Sequence, residues 1–153
     1  MPKFRTFLAL PAADRFATFE AMAMLALARL LVALVPLKYW RGHMGIVTGP
    51  QDLRPAPSPA DIAAGRRIRK LLQRADRNLP AEFICLPTAL AARWMLRRRG
   101  IASDLFIGTR KTPEGEHKFH AWLKLGDHWV TGEFKDGFYA TFASKPAQGN
   151  ADG

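Results

Sequence analysis

The single cysteine of this chain, Cys85, stands at a position that suits a nucleophile. An extended approach, EFI over residues 82–84, leads into a helical pattern that begins at Cys85. The backbone N–H groups and the dipole at the start of a helix favour a thiolate over a thiol. The position therefore indicates a cysteine nucleophile. An inert, buried cysteine is the alternative that the position alone leaves open.

A later histidine, His120, is a candidate base. It stands in an alternating stretch with Trp122 beside it on one face and with an apolar opposite face comprising Phe119, Ala121, Leu123 and Leu125. A base carried by a strand to a cysteine on a helix is the arrangement of papain-like and transglutaminase-like enzymes. The pattern predicts a cleft beside His120, with Trp122 as a substrate-binding residue. A half-exposed polar residue on a strand is the simpler alternative for His120.

The turn after this strand predicts a third group. If Gly126 and Asp127 form a two-residue hairpin turn, His120 lies directly opposite Glu133 on the next strand. Glu133 would then orient the imidazole as the carboxylate of a triad does. A bulge would bring Gly132 to that place instead. Two alternatives for the third catalytic residue stay open. One is Asp127, which is more simply interpreted as a turn residue, and the other is a centre with no third residue.

The remaining histidines and the loops show no pattern of a metal or cofactor site. His43, His117 and His128 lack partners at ligand spacing, so no zinc site is predicted. No glycine-rich phosphate loop occurs. We therefore expect neither a metal nor a cofactor.

A very apolar stretch near the start of the chain predicts the first helix. Apolar residues recur at helical spacing after Asp14 and end before Pro36: Phe16, Phe19, Ala23, Leu27, Leu30 and Leu34. The stretch is apolar nearly all round, so we expect a helix buried on more than one side. Arg29 lies at its centre, and only about 17 residues separate Glu20 from Lys38, the lower limit of a membrane span. A soluble core helix is favoured, and a peripheral membrane contact stays open.

Two more helices and a set of strands complete the pattern. Ser58 and Pro59 start a strongly basic helix, and a third helix runs over about residues 85–99. Strands are predicted at 105–109, 119–125, 128–134 and 138–142. Residues 42–57 are predicted to be a loop and 144–153 a disordered tail. Helices at 12–99 followed by antiparallel strands at 103–142 define a single α+β domain over residues 1–143.

The chain has 153 residues and a formal net charge of +10, which favours acidic partners: nucleic acid, an anionic membrane, or an acidic peptide or protein. The basic helix has no interleaved aromatic residues, so nucleic-acid binding gains no support and is not expected. A lone cysteine and the lack of a signal-peptide pattern favour the cytoplasm.

Two stretches together resemble the transglutaminase-like leader peptidases of lasso-peptide biosynthesis. One is CLPTALAARWMLRRRGI over residues 85–101, followed by LFIG over 105–108; the other is HAWL over 120–123. The resemblance extends over roughly residues 14–143. It implies a papain/transglutaminase-like cysteine protease fold, with Cys85 as the nucleophile and His120 as the base. The family carries an aspartate on the strand after the histidine, where this chain has TGE over residues 131–133.

The resemblance also implies partners. The chain resembles the stand-alone type of leader peptidase. That type acts with a separate leader-recognition protein, which carries the lasso-peptide precursor. The product, a core peptide with a free amine, would pass to a macrolactam synthetase. A transglutaminase-like acyl transferase with the same Cys–His pair is an alternative, as is a non-catalytic basic binding module.

Overall fold

The structure is a computed structural model that describes residues 8–40, 56–78, 85–133 and 140–141. Helices come first along the chain: α1 (Ala12–Leu34), α2 (Leu37–Trp40), α3 (Pro59–Asn78) and α4 (Cys85–Arg98). Strands follow: β1 (Asp104–Lys111), β2 (His117–Leu125), β3 (His128–Thr131) and β4 (Ala140–Thr141). The strands form one antiparallel sheet in the order β3-β2-β1-β4. The predicted α+β class is confirmed.

The core lies where α1, α3 and α4 meet one another and where α4 packs on β2. Its largest fully buried side chains include Leu25, Ile68, Met95 and Leu123, one from each of these elements. The helix α4 is therefore enclosed between the other two helices and the sheet. Cys85, the first residue of α4, is partly buried and packs against this core.

The start of α3 shows the predicted N-cap. The backbone N–H of Asp61 donates to Ser58 Oγ at 3.2 Å, and the N–H of Ser58 donates to Asp61 Oδ2 at 3.0 Å. This reciprocal pair satisfies two N–H groups that the helix itself cannot bond. The helix α4 ends at Arg98, close to the predicted end at about residue 99, and is followed by Gly100, which has φ of +71° and whose N–H donates to Arg97 O.

The prediction that α1 is buried on more than one side is wrong. All six residues of its predicted apolar pattern are exposed: Phe16, Phe19, Ala23, Leu27, Leu30 and Leu34. The buried face lies on the other side and is made mostly of small residues: Ala17, Thr18, Ala21, Leu25 and Ala28. Small side chains allow helices to approach closely. Both α3 and α4 pack against α1, whose face of small residues is buried while the larger residues of the predicted pattern stay exposed.

The hairpin of β2 and β3 departs from the predicted register. Leu125 faces His128 as predicted, but Leu123 faces Thr131, because a β-bulge leaves Val130 without an opposite residue. The strand β3 then ends at Thr131 instead of continuing to residue 134, and Gly132 has φ of +73°. The predicted pairing of His120 with Glu133 is therefore wrong.

Some predictions fall partly or wholly outside the described residues. These are most of the loop at 42–57 and the tail at 144–153. The last predicted strand, 138–142, is represented by β4, which pairs with β1 through Gly108 and Thr109.

Candidate active site

Cys85 is the first residue of α4 and is partly buried. Its sulfur accepts a hydrogen bond from the backbone N–H of Ala121, with Sγ 3.2 Å from the nitrogen. The ladder between β2 and β3 reaches only Leu123, so β3 does not use this N–H. The bulged, early end of β3 thus leaves an edge of β2 to which the cysteine sulfur binds.

His120 is the residue directly before Ala121, so the candidate base stands next to the peptide that holds the thiol. Its Nε2 lies 2.7 Å from the carbonyl oxygen of Gly132. A carbonyl oxygen only accepts, so Nε2 must carry the proton and donate it to this bond. In the neutral ring Nδ1 is then the unprotonated nitrogen. This tautomer would let His120 accept a proton at Nδ1.

Aromatic rings support the imidazole. The rings of His120 and Trp122 stack with centroids 5.9 Å apart, and Trp122 stacks in turn on Phe106 with centroids 5.6 Å apart and planes 9° from parallel. Trp122 is only 5% exposed. Its side chain therefore packs beneath the histidine, and the predicted contact of Trp122 with substrate stays a prediction.

Gly132 occupies a position that requires glycine. Its φ of +73° lies in the left-handed region, which disfavours residues with a Cβ. A Cβ added there would lie 2.5 Å from Ala121 O and 2.8 Å from the Cβ of Trp122. Gly132 thus fits tightly against the two residues that follow His120, with its carbonyl directed at the imidazole. Sequence reasoning named Gly132 only as the residue a bulge would bring opposite the histidine.

The two carboxylates considered as third groups lie elsewhere in the described structure. Glu133 Oε2 accepts a bond of 2.7 Å from Arg69 of α3, and both side chains are well exposed. Asp127 is an exposed turn residue, as its simpler interpretation predicts. Both line an open cleft of about 260 Å³ between α3 and the hairpin, together with Arg69, His128 and others. Whether Glu133 contributes to activity stays a prediction.

The arrangement is suited to nucleophilic chemistry. A partly buried thiol at a helix N-terminus, a histidine next to its hydrogen-bond donor, and a carbonyl that fixes the histidine tautomer are the components of a Cys–His centre. In the part of the chain that the structure describes, no three His, Cys, Asp or Glu residues are grouped closely enough to hold a metal ion.

Comparison with known proteins gives the family. A family model for the transglutaminase-like superfamily matches residues 31–143, which is well over half of the chain. The chain therefore belongs to the transglutaminase-like superfamily, a group that includes cysteine proteases and acyltransferases. Searches of the curated proteins and of the solved structures found no match.

Proposed function

We propose that this protein is a cysteine peptidase that removes the leader peptide from a lasso-peptide precursor. The observation that carries the catalytic part is the hydrogen bond of Ala121 N–H to Cys85 Sγ, which brings the thiol to the residue after His120. The superfamily supports a peptidase or an acyltransferase. The leader-peptide substrate rests on the resemblance of residues 85–101, 105–108 and 120–123 to lasso-peptide leader peptidases.

In the proposed reaction, His120 Nδ1 takes the thiol proton and the Cys85 sulfur attacks the carbonyl carbon at the leader–core junction. The C–N bond then breaks, the leaving amine of the core takes the proton from His120, and the leader remains on sulfur as a thioester. Water, deprotonated by His120, attacks the thioester and releases the leader acid and the free thiol. The carbonyl of Gly132 keeps the proton on Nε2 throughout.

Charge supports the proposed partners. The helix α3 presents a row of exposed basic side chains, which suits an acidic partner: Arg66, Arg67, Lys70, Arg74 and Arg77. We propose that a separate leader-recognition protein brings the precursor and that a macrolactam synthetase consumes the freed core. The proposed setting is the cytoplasm, because a lone cysteine that acts as a nucleophile suits a reducing compartment.

The test is a time course by mass spectrometry of a lasso-peptide precursor with its leader-recognition protein. Wild type and Cys85→Ala are compared, and thermal unfolding shows that both are folded. We expect loss of the leader with wild type and none with Cys85→Ala. A folded Cys85→Ala variant that cleaves as fast as wild type would contradict the proposed nucleophile.

A second arm separates hydrolysis from acyl transfer. The same reaction is run with an added primary amine, and the leader fragment is weighed. A leader that ends in a free acid supports the peptidase. A leader that ends in a new amide, with little free acid, would show that the enzyme is a transferase and overturn the peptidase proposal.

A further inference from the structure

The helix α1 carries a continuous apolar stripe on the side that faces away from the core. The α1 stripe comprises Phe16, Phe19, Ala23, Leu27, Leu30 and Leu34. Phe16 is 77% exposed and Leu34 is 73% exposed. At a rise of 1.5 Å per residue the stripe is about 27 Å long. Single exposed apolar residues are ordinary, but an ordered row of this length marks an interaction surface.

We propose that the α1 stripe docks this domain onto an anionic lipid bilayer, with α1 lying in the plane of the membrane interface. The α1 stripe lies outside the candidate active site, and its docking does not depend on the peptidase function. It gives a physical role to the apolar residues that the fold leaves uncovered.

The opposite face of α1 decides between lying on the membrane and crossing it. By length and composition alone α1 is able to cross a membrane. Its other face, however, is built into the domain, because Ala21, Leu25 and Ala28 are fully buried against the protein. A crossing helix would have to leave the core. Immersion of the exposed stripe to the depth of the headgroup boundary keeps the fold intact.

Arginines border the stripe along one side. A shallow cleft of about 480 Å³ beside Leu27 is lined by Met24, Leu27, Trp94, Arg97 and Arg98. A second cleft, beside Phe16, is lined by Ala13, Phe16, Ala17, Glu20, Arg67, Arg98 and Arg99. Leucine and phenylalanine flanked by tryptophan and arginine are the composition of membrane interfaces, where cations bind lipid headgroups.

The acidic residues near these clefts are already neutralised within the domain. Arg67 binds Asp14 with an N–O distance of 3.1 Å, and Arg99 binds Glu20 at 2.8 Å. Four arginines, at 67 and 97–99, therefore face two carboxylates. The border of the stripe keeps a positive charge, which attracts an anionic surface.

The same charge disfavours a second copy of the chain as the occupant. Two copies that met through their stripes would bring two arginine borders and two net charges of +10 together. The stripe also has no polar residue at any of its six positions. Interfaces between proteins carry regular polar contacts, on the order of one hydrogen bond per 100–200 Å². A uniformly apolar row fits lipid better than a folded partner.

The arginine border of the stripe and the candidate nucleophile lie at opposite ends of α4. Arg97 and Arg98 stand at the last turn of α4, whereas Cys85 is its first residue. The 14 residues of α4 span about 20 Å. The nucleophile therefore lies a helix length away from the cleft beside Leu27.

The test is co-sedimentation with vesicles of phosphatidylcholine, with and without phosphatidylglycerol. We expect wild type to bind the anionic vesicles and to bind the neutral ones much more weakly. Replacing Leu27 and Leu30 together by Ser should weaken binding more than about tenfold, because two exposed apolar side chains are lost. Arg97→Gln should weaken binding at low salt, and the difference should shrink at high salt.

Phe119→Ser is the matched control. Phe119 is 68% exposed but lies on β2, so its loss removes similar apolar surface from outside the stripe and should leave vesicle binding unchanged. Thermal unfolding checks the fold of every variant. A folded wild type that does not bind anionic vesicles would overturn the proposal. Binding by the Leu27/Leu30 variant that equals that of wild type would also overturn it. Stripe-dependent dimers in light scattering, or stripe-dependent binding to a protein with no vesicle binding, would assign the surface to another occupant and overturn it too.

Discussion

The Nε2 atom of His120 lies 2.7 Å from the carbonyl oxygen of Gly132, a backbone group that cannot titrate. A triad carboxylate both orients the histidine and stabilises its positive charge when the ring is protonated. A carbonyl orients the histidine through a hydrogen bond but contributes only a dipole to the stabilisation of the positive charge. The orientation of the imidazole therefore depends on the path of the main chain at Gly132.

Gly132→Ala tests this dependence. The new Cβ would lie 2.5 Å from Ala121 O at a φ of +73°, so the main chain has to move and the carbonyl moves with it. We expect kcat to fall by about tenfold or more and stability to fall by about 1–3 kcal/mol. The measurements are turnover and thermal unfolding on the same preparation.

Gly115→Ala is the control for backbone strain. Gly115 has φ of +87°, but a Cβ there would have no atom within 4 Å. It should lose stability without losing kcat. Equal loss of kcat in both variants would mean that strain alone, and not the position of the Gly132 carbonyl, explains the effect.

Trp122 gives a second prediction, because two roles for it have different kinetic signatures. The buried ring stacks on His120, so Trp122→Leu should lower kcat by about tenfold and destabilise the fold by about 2 kcal/mol. Trp122→Phe keeps an aromatic ring and should recover most of kcat. A raised KM with kcat unchanged in Trp122→Leu would instead support the substrate-binding role predicted from sequence.

Glu133 gives a third prediction. Its carboxylate binds Arg69 on the surface at 2.7 Å, and exposed ion pairs contribute about 0–1 kcal/mol. We expect Glu133→Gln to keep more than about a third of wild-type turnover, whereas His120→Ala should abolish it. The matched variant Arg69→Gln should behave like Glu133→Gln. Loss of turnover in Glu133→Gln but not in Arg69→Gln would restore Glu133 as the third catalytic residue.

Glu20 predicts how stability changes with pH. The hydrogen bond from Arg99, together with the charges of Arg99 and Arg98, lowers the pKa of this carboxyl from its ordinary value of 4.5. A group whose pKa is lower in the folded chain stabilises the fold above that ordinary value, and the contribution disappears as the pH falls through the lowered one. The pair joins α1 to the end of α4, and the Glu20 side chain is 11% exposed.

The measurement is chemical unfolding of wild type and Glu20→Gln at several pH values. At neutral pH we expect the variant to be less stable by about 1 kcal/mol. The difference should shrink as the pH falls below the ordinary value of 4.5 and close once the pH has passed the lowered pKa, where wild type loses the same charge. Glu116→Gln, at an exposed loop position, should match wild type throughout. A difference for Glu20→Gln that stays constant down to acid would mean that packing, and not the charge, is responsible.

Much of the site could be predicted from the sequence because its signals are local. A helix that begins at Cys85 and ends near Gly100, and a turn at Gly126, follow from capping and turn chemistry. The β-bulge at Val130 could not be predicted from alternation, because a single extra residue shifts the register without changing the pattern of apolar residues much. With the bulge and the end of β3 at Thr131, Glu133 does not pair with His120, and the imidazole bonds the Gly132 carbonyl instead.

The face of α1 could not be predicted for a different reason. In a helix that is apolar nearly all round, the spacing of apolar residues does not identify the buried face. Hydrophobicity scales also rank leucine and phenylalanine above alanine for burial. In the structure Ala17, Ala21 and Ala28 are buried while Phe16 and Leu34 are exposed. The buried face is the one with small side chains, a distinction that hydrophobicity alone does not make.

The bulge at Val130 limits which stabilising substitutions this domain can accept without loss of activity. A regular hairpin would continue the ladder past Leu123, and a longer strand would take up the N–H of Ala121 in place of Cys85 Sγ. Changes that straighten the hairpin should therefore give a more stable sheet and a misplaced thiol. Thermostability screens on this protein should avoid residues 129–133, because a more regular strand pairing in this segment would displace the Cys85 thiol.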